Sequence, residues 1–181
     1  MTGLNKQPRQ LTTFVLYFMI LLYFCLLTTM LLFGFSTPIG GYRGIRGGYR
    51  SLNLIPFRSI NSYLFHCNFK WAVNNLLGNI AVFVPLGVYV TLLRKNKGVL
   101  KNLLFVFLTS SSFEILQYVF ARGSSDIDDV ILNCLGGLIG IWLYKGLVWR
   151  LGVDKTRGVT AVVSAVVGLP MAAVVLAGLL R

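Results

Sequence analysis

Five apolar runs punctuate the chain, each about the length that crosses a bilayer: residues 11–35, Trp71–Leu93, Asn102–Ala121, Asp128–Trp149 and Gly158–Leu180. Crossing as a helix takes ~20 residues. None of the runs alternates apolar and polar positions as a barrel strand would, so the pattern predicts helices. The expected fold is an all-α integral membrane protein with five transmembrane helices. Spans two to four are expected to form a compact bundle with an outward-facing polar pocket.

The stretches between the runs complete the organisation. Residues 1–35 hold a short polar tail and the first span, which lacks a cleavage site and is expected to stay as an anchor. Residues 36–70 form a long connection. It opens with G-G-Y-R-G-I-R-G-G-Y-R and ends in an aromatic stretch. There Phe57, Ile60 and Leu64 fall at i, i+3 and i+7, which suits a short helix in the membrane interface or an irregular loop resting on it. Residues 71–149 carry the three central spans. A tight turn is expected at 122–126 between the third and fourth. Residues 150–181 add a basic loop and a fifth span of small and branched residues without chemistry.

Composition agrees. Of 181 residues, 56% are hydrophobic and 12% charged, about half the charge of a soluble domain. The net charge of +12 sits between the spans, where it sets topology and meets anionic lipid rather than nucleic acid. With the N-terminus cytoplasmic, the inner segments hold the majority of the 17 Lys and Arg residues. The C-terminus is then outside. The Arg/Gly-rich first loop breaks this rule, which points to contact with phosphate or anionic headgroups. Cys25, Cys67 and Cys134 match no metal spacing and read as free thiols. His66 reads as an interfacial residue.

Four of the five acidic residues fall within Ser110–Asn133: Glu114, Asp126, Asp128 and Asp129. Glu114 lies inside an apolar run, where a carboxylate must be paired, hydrated or neutralised. Helix rise puts Asn79 roughly 12 Å below the outer surface and Glu114 about 10 Å below it, with Asn133 about 6 Å deeper than Asp129 at the mouth of its span. Three spans therefore place amides and carboxylates in one outer layer. Asn75 and Asn79 share a face, as do Ser110, Glu114 and Gln117, and as do Asp129, Asn133, Gly136 and Gly140. Gly136 and Gly140 form a small-xxx-small pair for close helix approach, and Gly78 is expected to do the same. Each piece also has a plain structural role: the amides as helix–helix bonds, Asp126 or Asp128 as a cap on the fourth span.

N-L-I-P-F at 53–57, N-L-L-G-N-I-A-V-F-V-P-L-G at 75–87, E-I-L-Q at 114–117, Arg122 and D-I-D-D-V-I-L-N-C-L-G-G at 126–137 resemble the VanZ-like family. The resemblance covers about residues 53–145. It implies a small multi-spanning membrane protein tied to reduced susceptibility to teicoplanin and related lipoglycopeptides.

Three classes of function fit this pattern. In the first, the protein engages membrane lipid, a lipid-linked wall precursor or the drug itself at the outer leaflet. Arg58 and Arg122 would meet an anionic head, with Asn75, Asn79, Gln117, Asp128 and Asn133 completing the ligand set. In the second, it is an enzyme acting on a lipid-linked phosphate or sugar, with Glu114 as general base and Asp129 or Asp128 holding a second proton or a cation. Oxygen donors would suit Mg²⁺ or Ca²⁺, though nothing in the sequence requires a metal. In the third, it is a transporter, which with five spans would need a homodimer.

Overall fold

The computed structural model describes residues 7–33, 49–67, 69–94 and 98–179. Six helices and two short strands follow in the order α1 (Gln7–Phe33), β1 (Tyr49–Asn53), α2 (Arg58–His66), α3 (Phe69–Leu93), α4 (Val99–Val119), β2 (Arg122–Asp126), α5 (Ile127–Leu151) and α6 (Val153–Leu179). Helices α1, α3, α4, α5 and α6 are long and apolar enough to cross a membrane. They are the five spans the apolar runs predict. Residues 40–48 of the Arg/Gly-rich stretch lie outside the described residues, and its last two, Tyr49 and Arg50, open β1.

The chain divides into two compact units, Thr29–Tyr144 and a second made of Met1–Thr28 with Lys145–Arg181. In the second unit, a Cβ placed on Gly168 of α6 would come within 2.8 Å of the Met19 methyl of α1. Its buried threonines turn their hydroxyls back onto their own helix: Thr156 Oγ1 donates to the Gly152 carbonyl at 2.7 Å, and Thr160 Oγ1 to Thr156 at 2.8 Å. This satisfies the hydroxyls without a partner from a neighbouring helix. The basic loop expected at 151–157 is nearly absent. Gly152 alone, at φ 77, separates α5 from α6. Asp154 falls in the first turn of α6, where an acidic side chain complements the helix dipole.

Within the unit Thr29–Tyr144, α3 and α5 pack backbone against backbone. Phe83 and Leu86 of α3, Val106 of α4 and Ile141 and Tyr144 of α5 are its fully buried apolar side chains. In a bilayer their burial is worth packing rather than escape from water, so backbone proximity decides the strength of the contact. Glycines supply that proximity. A Cβ on Gly136 would land on the Ile80 carbonyl, one on Gly140 on the Val84 carbonyl, and one on Gly87 on the Gly137 carbonyl. Gly137 in turn faces Val106 of α4. Gly136 and Gly140 act as the sequence pattern indicates, but Gly78 does not: a Cβ there would have nothing within 4 Å. Gly87 takes the role expected of Gly78.

The segment expected as a tight turn at 122–126 is a strand. After α4, Ala121 turns the chain at φ 52, and β2 pairs with β1 in parallel from Tyr49↔Arg122 to Asn53↔Asp126. The ladder gives backbone partners to two segments that would otherwise leave them open at the membrane boundary. Ser51 Oγ donates to Ser124 Oγ across it at 2.5 Å. Arg50 Nη2 donates to the Val119 carbonyl at 3.0 Å, and the guanidinium lies 5.9 Å from the Tyr118 ring centroid. Both contacts tie β1 to the end of α4. Of the two alternatives for the aromatic stretch, a short helix or an irregular loop, the chain takes the helix, α2.

Candidate functional site

The acidic residues of 110–133 meet at the end of this unit where β1 and β2 join α2 and α5. Asp126 ends β2 and precedes α5, and its Oδ1 accepts the Asp128 N–H at 3.0 Å. It is therefore the N-cap of α5. The same oxygen accepts Asn53 Nδ2 at 3.0 Å, and its Oδ2 accepts the Ser59 hydroxyl. Asn53 Nδ2 also reaches Ser59 Oγ, at 3.0 Å.

Asp128 lies in the first turn of α5, where its charge suits the dipole of that helix. Its carboxylate, however, caps a different helix. Oδ1 accepts the Phe57 N–H at 2.5 Å, and Oδ2 accepts the N–H groups of Ser59 at 2.8 Å and Ile60 at 3.1 Å. Phe57, the residue before α2, has no side-chain oxygen to cap with and sits at φ 64. A left-handed conformation costs a non-glycine residue roughly 1–2 kcal/mol. Three hydrogen bonds to a carboxylate, each worth about 1.5–3 kcal/mol, offset it. Asp128 is fully buried. Both of its oxygens are taken up in holding the turn 53–60.

The span residues join the same end. Glu114 of α4 accepts the Asp126 N–H on Oε2 at 2.9 Å. Asn79 Nδ2 of α3 donates to Asp129 Oδ1 of α5 at 2.5 Å. Asn133 Nδ2 of α5 donates to Ser110 Oγ of α4 at 2.9 Å. Asn79, Glu114, Asp129 and Asn133 thus take part in direct bonds among three helices and β2. Asn75 is half-buried one turn before Asn79. Gln117 turns elsewhere: its Nε2 donates to the Leu31 carbonyl at 2.8 Å, joining α4 to the end of α1. Arg58 is exposed at the start of α2. Arg122 opens β2, but its side chain, like that of His66, lies outside the described residues.

Sequence reasoning passes over Asn53 and Ser59, which the structure makes partners of Asp126. The signal available was N-L-I-P-F itself: an amide just before a Pro-containing turn invites a side-chain bond. It also passes over a polar contact between α3 and α4. Asn102 Nδ2 donates to Thr91 Oγ1 at 3.1 Å, Thr91 donates to the Gly87 carbonyl at 2.8 Å, and both side chains are fully buried. Among the described residues, no group of three His, Cys, Asp or Glu side chains is placed to hold a metal ion.

Residues 14–150 match the family described as VanZ/LLP1. A curated relative, Protein VanZ of Enterococcus faecium, is 37% identical over 95 residues, which are 52% of this chain and 53% of the relative. The chain thus aligns with about half the length of that relative. No solved structure matches.

Proposed function

Because the chain belongs to the VanZ/LLP1 family, we propose that this multi-pass membrane protein lowers susceptibility to teicoplanin and related lipoglycopeptides. In this reading the end carrying β1, β2 and the acidic residues faces outward, with the N-terminus cytoplasmic and the C-terminus outside. The protein acts there by engaging an amphiphile with an anionic head: a cell-envelope lipid, a lipid-linked wall precursor or the acylated drug. The observation that carries this reading is the joining of three helices by buried and half-buried polar bonds at a single end, through Asn79 to Asp129, Ser110 to Asn133 and Glu114 to Asp126.

Such bonds fix the rims of α3, α4 and α5 relative to one another. A polar pocket opening outward would lie among them. Asn75, Asn79 and Asn133 would supply amides, with Gln117 at its edge. Arg58 and Arg122 would supply the positive charge that an anionic head requires. Asp129 would orient the Asn79 amide, Glu114 would hold the start of α5 through the Asp126 N–H, and Asp128 would hold Arg58 in place through the first turn of α2.

Susceptibility testing of a host expressing Arg58→Glu and, separately, Glu114→Gln addresses this directly. Membrane levels of each variant are followed by immunoblot. Each is expected to lose the teicoplanin protection given by the parent chain at unchanged protein level. A glycopeptide without an acyl chain serves as the comparison. Full protection in both variants would remove these residues from the site.

A further inference from the structure

We infer that the turn Leu52–Phe57, with α2 behind it, is seated in the headgroup–acyl boundary of the phospholipid leaflet as a membrane-inserted wedge. This holds independently of which amphiphile the protein engages.

The turn is held firmly yet displays apolar surface. Leu52, Leu54, Ile55 and Phe57 are each more than half exposed, as are Leu64 and Phe65 of α2. An apolar patch of this kind on an ordered element marks a contact surface. Order comes from beneath. Asp128 binds the N–H groups of Phe57, Ser59 and Ile60, and Asp126 binds Asn53 and Ser59. Asn53 Oδ1 accepts the Ile55 N–H at 3.3 Å. The turn is therefore preorganised, and seating it requires little further ordering.

Charge selects the occupant. Glu114, Asp126, Asp128 and Asp129 are all turned inward and buried, while Arg50 and Arg58, on either side of the turn in the chain, and Lys70, at the start of α3, are exposed. Apolar side chains flanked by cations, with carboxylates withdrawn, match acyl chains below a layer of phosphates. Position agrees as well. Helix α3 begins at Phe69, close after α2 ends at His66, and α5 begins directly after β2, the strand paired with β1. Two membrane-crossing helices start at this level, so the bilayer boundary passes here.

The unmodified protein can be tested in nanodiscs of phosphatidylglycerol and phosphatidylethanolamine that contain a lipid with a diazirine on its acyl chain. After photolysis, trypsin cuts at Arg50 and Arg58 and releases the wedge as the peptide Ser51–Arg58. Its carbene adduct yield is expected to lie within about threefold of that on peptides from α1. The double variant Leu54→Asp with Ile55→Asp, which keeps both trypsin sites, is expected to lower the yield on this peptide about fivefold or more, with labelling of α1 unchanged. A parent yield ten times lower or more than that of α1, together with hydroxyl-radical oxidation of Phe57, would place the turn in water and overturn the inference (order-of-magnitude thresholds). Cross-links from this peptide to the same peptide of another copy would overturn it in favour of a self-association surface. So would an adduct yield that the double variant leaves unchanged. Because labelling is read in lipid without drug, its failure is distinct from any failure of the resistance assay.

Discussion

Helices α3 and α5 meet twice, by opposite means. Along their middle they meet through glycine, with Gly136, Gly140 and Gly87 bringing backbone against backbone. At one end they meet through charge and amide, with Asn79 on Asp129. The glycine contact has one chemical solution, since any Cβ meets a main-chain carbonyl that cannot rotate away. The polar end has many members: Asn53, Ser59, Glu114, Asp126 and Asp128 share one network. Loss of one leaves others to hold the end together. Helix association is therefore set by the glycines, while the polar end shapes what the protein displays.

The largest effect is expected where that distinction is sharpest. Gly140→Leu drives a branched side chain into the Val84 carbonyl. Overpacking of this kind costs about 3 kcal/mol or more where backbone must move. SDS titration of the purified protein should show the loss of folded protein at much lower denaturant. A variant that folds with parent stability would mean that α3 and α5 are not in backbone contact.

Asp128→Ala comes next. It removes the acceptor of three N–H groups at the start of α2 and leaves Phe57 in a left-handed conformation without compensation. The expected cost is about 2–3 kcal/mol, confined to the turn and α2. Limited trypsin cleavage at Arg58 should accelerate while α3 and α5 remain protected. If cleavage were unchanged, the Asp128 bonds would not be what holds the turn.

These two variants also mark what could be read from the chain. Five spans were legible because membrane length and apolar content fix them. That Asn79, Glu114 and Asp129 lie at the same end of their helices was legible because helix rise is constant. Partners reached through folding were not. Asp128 carries an ordinary signature of a helix N-terminus, yet its carboxylate serves residues about 70 positions earlier. The β1–β2 pairing joins two short segments rich in Arg, Gly and Ser, with no period-two pattern to announce a strand. Gln117 donates to a main-chain carbonyl, and a carbonyl leaves no trace in the choice of residue.

A smaller effect is expected at the polar contact. Asn79→Leu removes the amide that Asp129 accepts. Interhelical hydrogen bonds in membranes are worth about 1 kcal/mol. A double-mutant cycle with Asp129→Ala, which removes the acceptor, should return a coupling energy of that size. Coupling near zero would turn this pair from a joint between helices into two side chains that happen to be near.

Gly78→Ala should do least, and it separates the two kinds of glycine most cleanly. Gly78 and Gly87 look alike in sequence and share helix α3. At about 100° per residue, nine positions turn them to opposite faces of the helix. Ile80, Val84 and Gly87 share the face against α5, and Gly78 points away from it, with no atom within 4 Å of an added Cβ. In water, Gly→Ala in a helix interior would stabilise by about 0.5–1 kcal/mol. In a bilayer the dissociated span is already helical, so much of that gain disappears. The expected change is within about 0.5 kcal/mol of zero by SDS titration, whereas Gly87→Ala, which meets the Gly137 carbonyl, should be clearly destabilising. A marked loss in Gly78→Ala would require a partner on the outer face of α3, and the division between a glycine-packed middle and a polar end would then have to include that partner.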